Sequence, residues 1–93
     1  MSSIIDSEAC FEECVRERGL EELMPKFRER GMTTFARMCY STHYIPGVGS
    51  EEQFLADIII PLTGERDTPH YPVIRRIFYE AYTLAAAQLK QTM

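Results

Sequence analysis

Glycine and proline cut this chain into pieces of helical length. Gly19, Gly31, the "PGVG" run at 46–49, Gly64 and Pro72 separate stretches of helical length, with Pro25 and Pro61 falling inside two of them. Glycine takes the left-handed conformations that close a helix, and proline cannot continue one. Between the breaks, apolar residues recur every three or four positions, which is the period of a helix packed on one side. The pattern predicts an all-α fold: a compact orthogonal bundle of about five helices, one helical domain over residues 1–93, with a long C-terminal helix.

The expected elements follow from caps and stripes. Asp6 or Ser7 caps a first helix holding Phe11, Cys14 and Val15, with Ile5 placed to staple onto Cys10 and Gly19 ending the run. Leu20 to Met24 leads loosely into a second helix, whose first turn takes Pro25. Leu23, Met24 and Phe27 form its apolar stripe, Lys26, Arg28, Glu29 and Arg30 its wet face, and Gly31 its end. Thr33 caps a short third helix with Phe35, Ala36, Met38, Cys39 and Tyr40. In the loop "THYIPGVGS", Ile45 is extended before Pro46, and Gly47 or Gly49 supplies a positive φ.

Ser50 and Gln53 have capping-box spacing and open a fourth helix. Phe54, Leu55, Ile58, Ile59 and Leu62 face inward there, Pro61 kinks or shortens it, and Gly64 stops it. "DIIIPL" is the one strand-like run, and the cap before it favours helix. After the loop "ERDTPHYP", Pro72 suits the first turn of the last helix. Ile74, Ile77, Phe78, Ala81, Leu84, Ala85 and Leu89 make its buried side.

The composition of the 93 residues agrees with a folded soluble domain: 45% hydrophobic and 26% charged. A domain of this size has a stability on the order of 5–9 kcal/mol. The formal net charge is −4, which argues against general binding of a phosphate backbone. No basic lead and apolar core of a signal peptide is visible at the start, and no apolar run is long enough for a bilayer. Three cysteines make no disulfide framework, so the expected setting is intracellular (cytoplasmic or nuclear) with reduced thiols.

The stretch "GLEELMPKFRERGMTTFARMCYST", residues 19–42, resembles the central part of a SAM (sterile alpha motif) domain. Leu20, Phe27, Gly31, Met32 and Phe35 occupy matching positions. The resemblance implies a SAM-like helix arrangement. A second likeness covers 46–90: "PG" at 46–47, "PLTG" at 61–64 and "RRIFYEAYTLAAAQLK" at 75–90 are similar to a short helical module of protist polyproteins of mobile-element or viral type. That likeness implies an accessory or interaction domain and carries no catalytic residues.

Reactive side chains are present without a recognisable constellation. Cys10, Cys14, Cys39, His43 and His70 include enough ligand types for zinc, but Cys-x3-Cys on a helix is not a finger knuckle and no second pair matches it. Small buried thiols fill cores more often than they bind metal. Cys39 and His43 invite a thiolate–imidazole pair, yet no Asn or Asp stands near to orient it. His70, in the loop, suits a plain surface position. Glu12, Glu13, Glu17, Glu21 and Glu22 fall on wet faces and first turns, where they serve solubility and the helix dipole. "PGVG" follows no strand and carries no lysine, so it is not a phosphate loop. The expectation is no catalytic site, no metal and no cofactor.

What remains is binding surface. Tyr79, Tyr82 and Ala86 lie off the inward stripe of the last helix, and tyrosine with arginine is the chemistry of interface hot spots. A helix central to a small bundle gives the same pattern by enclosure alone. Arg28, Arg30, Arg75, Arg76, Tyr79 and Tyr82 are the candidate partner-binding residues, for a protein partner or self-association and not for a membrane. The alternative is an accessory nucleic-acid-binding domain using Arg75 and Arg76 with Lys26, Arg28 and Arg30. Glu29 sits among the second group and Glu80 one turn from Arg76, which weakens it.

Overall fold

A computed structural model describes residues 4–48 and 50–92, with side-chain environments through residue 88. The architecture is all-α, with five helices among the described residues: α1 Glu8–Glu17, α2 Met24–Glu29, α3 Phe35–Cys39, α4 over 52–63 and α5 Tyr71–Thr92. Short 3-10 turns at Ile4–Asp6 and Glu21–Leu23 precede α1 and α2. No strand occurs among the described residues, only an isolated antiparallel bridge between Ile45 and Val48.

The starts and stops have local causes. Ser7 is extended, and its side chain accepts a hydrogen bond from Cys10 N at 3.1 Å, which caps α1. Pro25 falls in the first turn of α2, where its missing N–H costs nothing. The cap of α3 is Thr34, not Thr33: its hydroxyl accepts from Arg37 N at 3.1 Å. Capping one residue later turns both Phe35 and Met38 inward and leaves Tyr40 at the helix end, 68% exposed.

The capping box at α4 does not form. Ser50 Oγ accepts instead from Glu52 N at 3.1 Å, and Gln53 reaches forward to Asp57. The side chain of Glu51, beside them, is drawn off toward α5. Within α4, Leu55–Ile59 is a π turn, with Ile60 N donating to Leu55 O. Pro61 has no N–H for the carbonyl of Asp57, four residues back, and its ring would crowd that oxygen. Widening the turn just before Pro61 carries the chain past the break without a sharp stop. The helix ends at Gly64, whose N–H still reaches Ile60 O at 2.8 Å and whose φ of +81° then turns the chain out of the helix.

One continuous buried cluster holds these pieces. Phe11 meets Phe27 and Phe35 edge-on, with ring centroids 5.6 and 5.2 Å apart, and so joins α1, α2 and α3. Phe54 meets Phe78 and Tyr71 at 5.2 and 5.8 Å and joins α4 to α5. The main packing is of α3 on α5, with Ile4–Asp6 against both and the last turn of α4 against α2. Ile74, Ile77, Phe78, Ala81 and Ala85 are buried as expected. Leu84 is not: it stands about 80° round the helix from Arg76 at 100° per residue, at the edge of the outer face, and is only partly covered. The expectations for Gly49 and Leu89 lie outside the described residues and side chains.

Candidate interaction surface

The start of α5 is tied to the start of α4 by one carboxylate. Arg75 Nε donates to Glu51 Oε1 at 2.9 Å, and the Tyr71 hydroxyl donates to the same oxygen. The Tyr44 hydroxyl donates to Glu51 Oε2. Arg75 also donates through Nη2 to Tyr79 Oη at 2.7 Å, and its guanidinium carbon lies 4.4 Å from the Tyr79 ring centroid. Tyr44 and Tyr79 hydroxyls are 3.1 Å apart. The single proton of Tyr44 goes to Glu51, so Tyr79 donates to Tyr44.

Electrostatics follow from this closure. Burial pushes the Glu51 carboxyl up, but hydrogen bonds from Tyr44, Tyr71 and Arg75 more than offset it, so the group sits below its ordinary value. The same carboxylate works the other way on its donors. Burial, then the bond to Glu51, pushes Tyr71 up to about 12 and Tyr44 further still. The cluster is a satisfied network. It holds the Tyr44 loop and both helix starts together, and it uses up Arg75 and the polar end of Tyr79.

The outward side of α5 differs. Arg76, Tyr79, Glu80, Thr83 and Leu84 line a shallow groove of about 510 Å³. Glu80 anchors its floor to α1: the Arg18 guanidinium bonds Glu80 Oε1, and Cys14 Sγ lies 3.8 Å from Oε2. Burial pushes the Cys14 thiol up, against the lowering effect of Arg18, which disfavours the thiolate. Arg76 reaches Glu80 at only 3.5 Å, and its side chain is 70% exposed.

The candidate residues therefore separate. Arg76 and Tyr79 share the groove; Tyr82 is half-buried against the core and does not line it. Arg75 is committed to Glu51. Arg28 pairs with Glu12 of α1 at 2.8 Å, Lys26 with Glu29 at 3.4 Å, and Arg30 is exposed at the end of α2. Neither Arg28 nor Arg30 lines the groove. Of the possible ligand residues, Cys39 is buried and its thiol pushed up by that burial, while His43 is exposed. Among the described residues, no three of His, Cys, Asp and Glu gather as a metal ion would need.

Sequence reasoning missed two participants. Leu84 was assigned inward because its spacing from Ile77 and Ala81 fits the buried stripe. The angle from Arg76 was the signal that it borders the outer face. Glu51, at the start of α4, was not among the carboxylates considered, and nothing local singles it out. A second small apolar feature, Ile45 and Val48 at the tip of the Pro46–Gly47 turn, was legible in "YIPGV", since a tight turn throws its flanking side chains outward.

The fold and this surface define a small all-α bundle with a groove along its longest helix, and among the described residues no helix is long and apolar enough to cross a membrane. No protein-family model, no curated protein and no solved structure matches the chain.

Proposed function

We propose that this chain is a non-enzymatic helical interaction module that binds another protein chain through the outer side of α5. The observation that carries the reading is the groove of Arg76, Tyr79, Glu80, Thr83 and Leu84, where an aromatic ring and a partly covered leucine flank an exposed arginine. Such a mixture matches protein interfaces, in which anchoring aromatic and apolar atoms are rimmed by charge. In this reading the SAM-like spacing of residues 19–42 supplies scaffold, and the Glu51 cluster sets the position of Tyr79.

The nucleic-acid reading has weaker support. Lys26, Arg28, Arg75 and Arg76 each face a carboxylate of the same chain, which leaves little uncompensated positive charge for phosphates. A photo-reactive amino acid at Thr83 tests the two together. Protein adducts from position 83, and few from a control at exposed Glu13, are the expected result. Adducts with nucleic acid, or none above the control, overturn the proposal.

A further inference from the structure

At 100° per residue, Pro72, Arg76, Thr83 and Ala87 point to one side of α5, with Val73, Tyr79, Glu80 and Leu84 along its margins. The four central residues are exposed and the marginal ones half-covered, so this side faces outward along most of the helix. Among the described side chains, through residue 88, the face carries two charges, Arg76 and Glu80, of opposite sign and one turn apart. The rest is proline, alanine, threonine, and the apolar atoms of Val73, Tyr79 and Leu84.

That charge pattern is self-complementary. Lay a second α5 antiparallel on the first, with a two-fold axis midway between positions 76 and 80. Arg76 of each copy then meets Glu80 of the other. Pro72 and Val73 meet Leu84 and Thr83, so apolar atoms face apolar atoms on both sides of the axis. A uniformly acidic or basic partner would instead set a like charge against one member of the pair. Glu80 has capacity for a further donor: Oε1 takes the Arg18 and Arg76 bonds, while among the described residues Oε2 meets the thiol of Cys14, at the long distance of 3.8 Å. Thr83 and Ala87 are small enough for close approach of two helices, about 8–10 Å between axes.

We infer that the partner of this groove is a second copy of the same chain, paired antiparallel through α5 with reciprocal Arg76–Glu80 contacts across a two-fold axis. The inference rests on the interaction-module reading and names the occupant. An interface made from one helix face is small, below about 1,200 Å² in total, so the dimer exchanges rapidly with monomer.

Charge reversal reads the register directly. In sedimentation equilibrium, the unmodified chain shows a reversible monomer–dimer equilibrium. Arg76→Glu weakens it by roughly tenfold or more, since two like-charge contacts replace two attractive ones. Glu80→Arg does the same alone. Mixing the two variants restores association as a heterodimer, because only the mixed pair has opposite charges at both contacts. Thermal melts followed by circular dichroism confirm that each variant is folded. If Glu80→Arg unfolds through its nearness to Arg18, Leu84→Asp replaces it, and the expected result is loss of dimer with the melt retained.

A strict monomer at millimolar concentration overturns the inference, as does a dimer indifferent to Arg76→Glu, or a mixture of folded variants that stays monomeric. Should the chain be monomeric while the probe at Thr83 captures a different protein, the second-copy inference falls and the interaction-module reading stands. With neither dimer nor adduct, both fall.

Discussion

Glu51 and Arg75 stand 24 positions apart in sequence and meet at 2.9 Å, and that contact fixes the start of α5 against the start of α4. Two tyrosine hydroxyls bond the same carboxylate, and a third, on Tyr79, closes the ring through Arg75 and Tyr44. Tyr79 also borders the outer groove. The network that stiffens the fold is thus the one that places a groove residue.

Glu51→Gln tests the network as a unit. The amide keeps the shape, loses the charge, and puts a donor where three donors converge. A loss of about 1–3 kcal/mol is expected, the range for removing charge-assisted hydrogen bonds in a partly buried site. Urea denaturation checks it, with Glu13→Gln on an exposed part of α1 changing stability by less than about 0.5 kcal/mol.

The pH dependence has a definite sign at each end. The Glu51 carboxyl is held below its ordinary 4.5, so the stability it contributes is present above that value and is lost as pH falls through its lower folded value. At the alkaline end, Tyr71 is raised from 10 to about 12. A raised group contributes stability in full below pH 10, and that contribution disappears as pH rises through about 12. Tyrosinate absorbance followed during alkaline titration is expected to show a late step, and Glu51→Gln to move that step to lower pH.

Phe54 is the aromatic hinge of α4 on α5, touching Tyr44, Tyr71 and Phe78. Phe54→Ala removes a fully buried ring that these three aromatics pack against. The expected cost is about 3–5 kcal/mol, a large share of the stability of a domain this size, and calorimetry is expected to show a melt lowered by more than about 10 °C.

Gly64 gives a purely conformational test. Its φ is +81°, and a Cβ there meets nothing within 4 Å. Gly64→Ala is expected to cost about 1 kcal/mol through the left-handed backbone alone, with an unchanged far-ultraviolet spectrum. A cost near zero in chemical denaturation contradicts the assignment of this residue as the α4 stop.

Periodicity and punctuation sufficed for the elements, because caps and stops are decided within a turn or two of chain. Ser7, Pro25, Gly31 and Gly64 act on neighbours no more than about five residues away, and the stripe of Ile74, Ile77, Phe78 and Ala81 is a count along one helix. The same locality explains the near misses. Thr33 and Thr34 are equivalent caps until packing selects the one that buries Phe35 and Met38. Ser50 and Gln53 make a capping box only if nothing nearby competes, and here Asp57 draws Gln53 away. Fold class, helix order and the core of α5 belonged to the sequence alone. The meeting of Glu51 with Tyr44, Tyr71 and Arg75, and the exposure of Leu84 beside Arg76, were decided by tertiary structure. The bonds of Glu51 to Tyr71 and Arg75 join residues 20 and 24 apart, the bond to Tyr44 crosses the intervening turn from 7 residues away, and the exposure of Leu84 depends on which side of a helix its neighbours leave uncovered; no local rule of spacing carries that information.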